Sequence, residues 1–137
     1  MKTHMLRIAG LTALIASSGL AQLAAPLTAD VPFDFTVGTT KLTAGQYMIH
    51  KQQNGVLRVS GRDNKQSVMI LAMTSAKLMP QTETKLVFNR YGNQHFLSRI
   101  WVAGQTDGFQ LRPGSIEREV AHSVHNSDDV SIIARGR

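Results

Sequence analysis

From Asp30 onward, apolar and polar residues alternate. Val31, Phe33, Phe35 and Val37 are interleaved with Asp30, Pro32, Asp34 and Thr36. A period of two with one apolar face predicts a half-buried β-strand. Pro32 has no N–H to give to a ladder, which puts it at an edge or a strand end. Gly38 closes this segment, and residues 41–45 read as a short turn.

The next segments can be placed in register from their side chains. Residues 47–51 and 56–61 flank Gln52 to Gly55. A two-residue Asn54-Gly55 turn sets Ile49 against Ser60. A three-residue loop over Gln53, Asn54 and Gly55 sets Ile49 against Val59 instead. The second keeps both apolar residues on one face and gives Gly55 the left-handed position such a loop needs. Asp63-Asn64 then suits a two-residue turn that pairs Val59 with Val68 and Leu57 with Ile70. Three strands thereby agree on one core face. Residues 66–73 are apolar on the other face too, at Met69, Leu71 and Met73. That pattern predicts a central strand covered on both sides, by a second sheet or by a C-terminal helix, with the methionines filling core.

Residues 85–91 and 94–102 make the clearest hairpin, around a Gly92-Asn93 turn of the glycine-first type. The regular register pairs Arg90 with His95, Phe88 with Leu97 and Leu86 with Arg99, and Trp101 continues that face. The alternate face pairs Asn89 with Phe96 and Val87 with Ser98. Residues 104–114 read as a loop, broken by Gly108, Pro113 and Gly114. Ser115 can cap a helix whose first turn holds Glu117 and Glu119, where the helix dipole favours acids. Ile116, Val120 and Val124 recur every fourth residue and predict one apolar stripe laid on the sheet. Residues 130–134 read as a last strand. The expected fold is mainly β: a single antiparallel β sandwich or open barrel of six to eight strands with one C-terminal helix.

The first residues change the picture of where this domain works. Lys2 and Arg7 precede an uncharged stretch containing Leu11, Leu14, Ile15 and Leu20, with small residues at Gly19 and Ala21. This is the layout of a secretory signal peptide over residues 1–21, too rich in Ser and Gly for a span of about 20 apolar residues. The expectation is export to the periplasm or the extracellular space, with a flexible leader at 22–29 and one β-rich domain at 30–137. A domain of this size can bury a core without covalent staples. The chain has no cysteine, which excludes disulfides, thiol catalysis and cysteine zinc sites. The formal net charge is +6, which suits anionic partners or simply solubility. There is no basic run of the kind that makes a nucleic-acid arm, and no transmembrane segment comes after the leader.

Two segments carry a resemblance. Val31-Pro-Phe-Asp-Phe-Thr-Val-Gly38 with Leu42-Thr-Ala-Gly-Gln-Tyr47, and Leu86-Val-Phe-Asn-Arg-Tyr-Gly92 with Phe96-Leu97 and Ile100-Trp101, resemble a family of small exported bacterial β-rich proteins of unassigned function. Thr43 stands where that family commonly has proline, a difference confined to a turn. The resemblance implies an exported β domain and brings no catalytic residue with it.

Candidate chemistry is sparse. Arg90, His95, Arg99 and Trp101 share one hairpin face in the regular register, and cations beside an aromatic can grip phosphate, carboxylate or sugar rings. Long stems covering Phe88 and Leu97 would give the same pattern. His122 and His125 stand three apart near Asp128 and Asp129, ligand types suited to zinc, copper or nickel, though charged histidines also complement a helix C-terminus. No nucleophile elbow, phosphate-binding glycine loop or His-Glu-x-x-His occurs. No cofactor is called for. The leading expectation is a non-enzymatic exported domain with a binding or structural role. The alternatives are a small extracytoplasmic hydrolase or metal-dependent enzyme, and a binder of anionic envelope polymers through the Arg90–Trp101 face.

Overall fold

A computed structural model describes residues 25–136; the signal peptide expected at 1–21 lies outside them. Ten strands and a single α-helix occur among the described residues. In chain order they are β1 (Leu27–Val31), β2 (Phe35–Val37), β3 (Thr40–Leu42), β4 (Gly45–Lys51), β5 (Val56–Gly61), β6 (Ser67–Ala76), β7 (Lys85–Tyr91), β8 (Gln94–Trp101), β9 (Asp107–Leu111), α1 (Ser115–Ser123) and β10 (Asp128–Gly136).

The strand order is β3-β2-β8-β7-β10-β1-β4-β5-β6-β9, and β9 returns to pair with β8. That last pairing closes eight antiparallel strands into a barrel, with β2 and β3 as extra strands. The fold is therefore mainly β and antiparallel, as the alternation predicts, and the barrel is closed. Closure leaves no free edge in the ring, which removes a template for strand-to-strand aggregation.

The registers around β5 follow the hydrophobic pattern. Ile49 faces Val59, Val59 faces Val68, and Leu57 faces Ile70. The β4–β5 loop is one turn of 3-10 helix over Gln53–Gly55. Both Asn54 and Gly55 have positive φ there, at 60° and 75°, a backbone that asparagine and glycine tolerate best.

Several segments depart from expectation. Alternation across 30–37 does not make one strand: Pro32 and its neighbours break it into β1 and β2. β1 begins at Leu27, inside the stretch read as a leader, because Leu27 and Ala29 extend the alternation upstream. Ala29 is buried and pairs with both Ala134 and Tyr47. Residues 107–111, read as loop, form β9. Gly108 belongs in this strand because a Cβ there would sit 2.5 Å from the Ile100 carbonyl oxygen and from the Trp101 ring. Glycine in a strand often marks such a close backbone approach.

The helix does not bury the expected stripe. Ile116 is exposed, Val120 and Val124 are half-buried, and the one buried helical residue is Glu117, 4% exposed. Gly114, rather than Ser115, is the N-cap. α1 covers the outer side of β7, where Asn89 Nδ2 donates to Glu117 Oε1 at 2.8 Å and the Tyr91 hydroxyl donates to the same oxygen at 3.3 Å. A polar anchor thus fixes the helix, since an acid buried without partners would be costly. Burial raises the Tyr91 pKa, and the neighbouring Glu117 carboxylate adds to the effect.

The outer side of β6 is likewise uncovered. Met69 and Leu71 are 62% and 65% exposed, and Met73 is exposed as well. The methionines expected as core filling stand at the surface. Only the inward positions of β6, of which Ala72 is buried and Val68 and Ile70 half-buried, meet the core.

The two ends of the barrel differ. At one end Phe33, Phe35, Tyr47 and Phe88 pack edge to face, with ring centroids 5.0–5.4 Å apart. The β2–β3 hairpin crosses this end, burying Phe35, Val37 and Leu42, and a Cβ at Gly114 would run into the Gly38 backbone. The Tyr47 hydroxyl donates to the Thr43 carbonyl at 2.6 Å, and Asn64 Nδ2 donates to it at 2.9 Å. At the other end the β6–β7 and β8–β9 loops are laced to each other. Lys77 N–H donates to Thr106 O, Gln81 N–H to Gln105 O, and Gly104 N–H to Gln81 O. They form a rim around an opening.

Candidate functional site

The opening is a cavity of about 510 Å³. Its wall is built from inward residues near the strand ends that meet there: Leu27 of β1, Ile49 of β4, Leu57 of β5, Ile100 of β8 and Phe109 of β9. Lys51 is placed by the same parity. Tyr47, Ile49 and Lys51 are every second residue of β4, so the lysine is the outermost inward-facing position of its strand. Its Nζ lies 5.4 Å from the Phe109 ring centroid, within reach of a cation–π attraction. Thr84 and Gln105, from the rim, add polar groups. Among the described residues Lys51 is the one titratable side chain in this wall. The result is an apolar well with a single cation, of a size typical of small-molecule sites, about 300–1,000 Å³.

Sequence reasoning missed this site, although part of its signal was present. Ile49 and Leu57 were assigned to the core face, and continuing the same alternation places Lys51 beside them. A lysine at a core-face position ending a strand marks a rim. Phe109 could not be found that way, because Gly108 disguised its strand as a loop.

The hairpin residues singled out from sequence are not gathered on one exposed face. Ser98 has no partner: Phe88 pairs with Leu97, but Val87 pairs with Arg99 and Leu86 with Ile100. This bulge shifts the register by one residue, and a one-residue slip reverses faces. Leu97 and Ile100 point into the core, so Arg99 and Trp101 point outward. Arg90 and His95 lie opposite each other near the plugged end. Trp101 is only 2% exposed. It is covered by Lys77, whose Nζ is 4.4 Å from its ring centroid, and by Gly108. Both arginines are paired across strands, Arg90 Nη2 to Asp128 Oδ2 at 2.6 Å and Arg99 Nη2 to Asp129 Oδ2 at 2.7 Å. His95 stacks on Phe33 at 3.8 Å with its Nδ1 buried and unpartnered. Burial lowers the His95 pKa, the Arg90 charge lowers it further, and the Asn93 backbone carbonyl, as an acceptor for the ring, acts in the opposite sense.

The two candidate metal ligands are separated by the end of the helix. His122 lies in the last turn of α1, whereas His125 lies beyond the C-cap Val124, whose backbone is extended. They do not share a helical face, and both are exposed. Asp128 and Asp129 face arginines instead. Among the described residues no group of three or more His, Asp or Glu converges as a metal site, and no helix is long and apolar enough to cross a membrane. Comparison with known protein families, with curated proteins and with solved structures finds no match for this chain.

Proposed function

We propose that this protein is an exported binding domain. Its open end takes a small apolar molecule bearing an acidic group, a fatty acid being the simplest member of the class. The observation that carries this reading is the well of about 510 Å³ whose apolar wall contains Lys51. Leu27, Ile49, Leu57 and Phe109 exclude water from a hydrocarbon chain. Lys51 supplies a charge-assisted hydrogen bond to a carboxylate, which is stronger than a neutral one. Mouths of β-barrels are common ligand sites, and eight strands leave an interior just wide enough for one small ligand. Action outside the cytoplasm is supported by the signal-peptide pattern of residues 1–21.

The paired Arg90 and Arg99 and the buried Trp101 make the hairpin a weaker candidate surface for an anionic polymer. The test is calorimetry with dodecanoate and, separately, with dodecyltrimethylammonium. Saturable binding of dodecanoate is expected. Lys51→Met should weaken it by about ten- to a hundredfold, the worth of a hydrogen bond to a charged group, and should leave the cationic amphiphile no weaker. Absence of saturable binding to either amphiphile contradicts the proposal.

A further inference from the structure

The segment from β6 into the β6–β7 loop leaves its apolar side chains in water. Met69, Leu71 and Met73 lie along the outer side of β6, and Leu78 and Met79 stand fully or largely exposed in the loop at the rim of the open end. Exposed apolar residues scattered singly need no explanation, but a contiguous run of them marks an interaction surface. A crease of about 280 Å³ runs beside the strip, lined by Ile70, Leu71, Met73 and Arg112.

The charges around the strip identify the partner. Arg58 stands opposite Met69 on β5, Arg112 Nε lies 3.4 Å from the Met73 sulfur, and Lys77 precedes Leu78. All three are exposed. No Asp or Glu occurs between Asp63 and Glu83. On the neighbouring β9 the acid is Asp107, opposite Ala76. By contrast Glu117, Asp128 and Asp129 gather on the α1–β10 side. Apolar side chains flanked by cations match an interface of hydrocarbon beneath anionic head groups, where each nearby Lys or Arg adds attraction and flexible apolar side chains enter the acyl boundary. A protein partner would be expected to meet the strip with its own acids; a lipid surface meets the exposed Leu78 and Met79 with a medium they can enter.

We infer that the outer face of β6 and the Leu78-Met79 loop dock on an anionic lipid surface, setting the open end of the barrel against the membrane. Only the source of the cavity's ligand rests on the preceding proposal: a docked rim would take an acidic lipid directly from the bilayer. The experiment is flotation of the full exported protein with phosphatidylglycerol-containing vesicles and with pure phosphatidylcholine vesicles. Flotation is expected with the first and should fall as salt rises. The double variant Leu78→Asp, Met79→Asp should lose at least about tenfold in partitioning, given the apolar burial removed. Arg112→Gln should lose about fivefold, the share of one cation at an anionic surface. Because Leu78 and Met79 are exposed, the double variant should keep the wild-type denaturation midpoint and, without vesicles, its dodecanoate affinity. Wild-type protein that ignores anionic vesicles overturns docking, as does partitioning unaffected by the double variant. A stable dimer in sedimentation that the double variant abolishes assigns the strip to a second copy and also overturns it. Binding of dodecanoate without flotation leaves the cavity reading standing and removes docking; flotation without dodecanoate binding does the reverse.

Discussion

The two ends of this barrel are made from the same strands and differ in the chain segments that cap them. At the plugged end, β1 runs past Pro32 and Phe33 into the β2–β3 hairpin, and this segment folds across the opening and fills it with Phe33 and Phe35. At the open end, the connecting loops hydrogen-bond to each other around the rim and leave the interior accessible above Ile49 and Leu57. One end is therefore filled by aromatic packing and the other is open to solvent. A barrel of eight strands has interior volume for one ring of large side chains or one small ligand, and here large side chains fill one end while the other keeps a cavity.

This contrast can be broken by truncating an aromatic at each end. Phe88 is fully buried among Phe33 and Phe35, so Phe88→Ala should cost about 3–5 kcal/mol, as loss of a buried large aromatic does. Phe109 is half-buried at the cavity wall, so Phe109→Ala should cost less than half as much. Chemical denaturation of both variants measures the difference. Equal losses would mean that the open end is as tightly packed as the plugged one.

The seam that closes the ring gives the next largest effect. Gly108→Ala introduces a Cβ where the Ile100 carbonyl and the Trp101 ring already lie. Overpacking of this kind costs about 1–3 kcal/mol, and because β8–β9 pairing borders the cavity, ligand affinity should fall with stability. A variant with an unchanged midpoint would show that β9 does not lie against β8.

At the plugged end, Tyr47→Phe removes one hydroxyl shared by Thr43 and Asn64. The expected loss is about 1–2 kcal/mol, as for a part-buried hydrogen bond, with no change in ligand binding. Loss of binding in this variant would couple the two ends and contradict their separation.

The smallest effect is a dependence on pH. Burial and Arg90 lower the His95 pKa below that of a free histidine, so the folded state binds protons less readily than the unfolded state. Both forms are neutral above the ordinary value, near 6.5, and this group has no effect there. As pH falls through that value, the unfolded chain takes up a proton first and the folded state loses stability. His95→Gln should flatten that part of the stability profile, and an unaltered profile would remove His95 as its source.

Much of the fold was legible because its cause is local. Period-two alternation and the turns at Gly55 and Gly92 set the β4–β5–β6 registers and the start of the β7–β8 hairpin. The parts that were not legible depend on contacts between distant residues. The Ser98 bulge is invisible to alternation, because a bulge adds one residue without a mark in composition, and it alone moves Arg99 and Trp101 off the face of Arg90 and His95. Gly108 reads as a loop breaker until Trp101 is placed beside it. Glu117 reads as a first-turn acid favoured by the helix dipole, and only Asn89 and Tyr91 across the chain explain its burial. Met69, Leu71 and Met73 read as core because apolar residues usually are; nothing within β6 says that its outer face is left uncovered. The candidate site sat between these cases, with Lys51 visible by parity and Phe109 hidden by the glycine next to it.

A ligand that enters the open end should leave the plugged end untouched. Nuclear magnetic resonance of the isotope-labelled protein, titrated with dodecanoate, tests it most directly. Saturable shifts are expected at Leu27, Ile49, Lys51, Leu57 and Phe109, with Phe35, Tyr47 and Phe88 unmoved. Shifts centred on Arg90, Arg99 and the plugged end, or no saturable shifts at all, would contradict it.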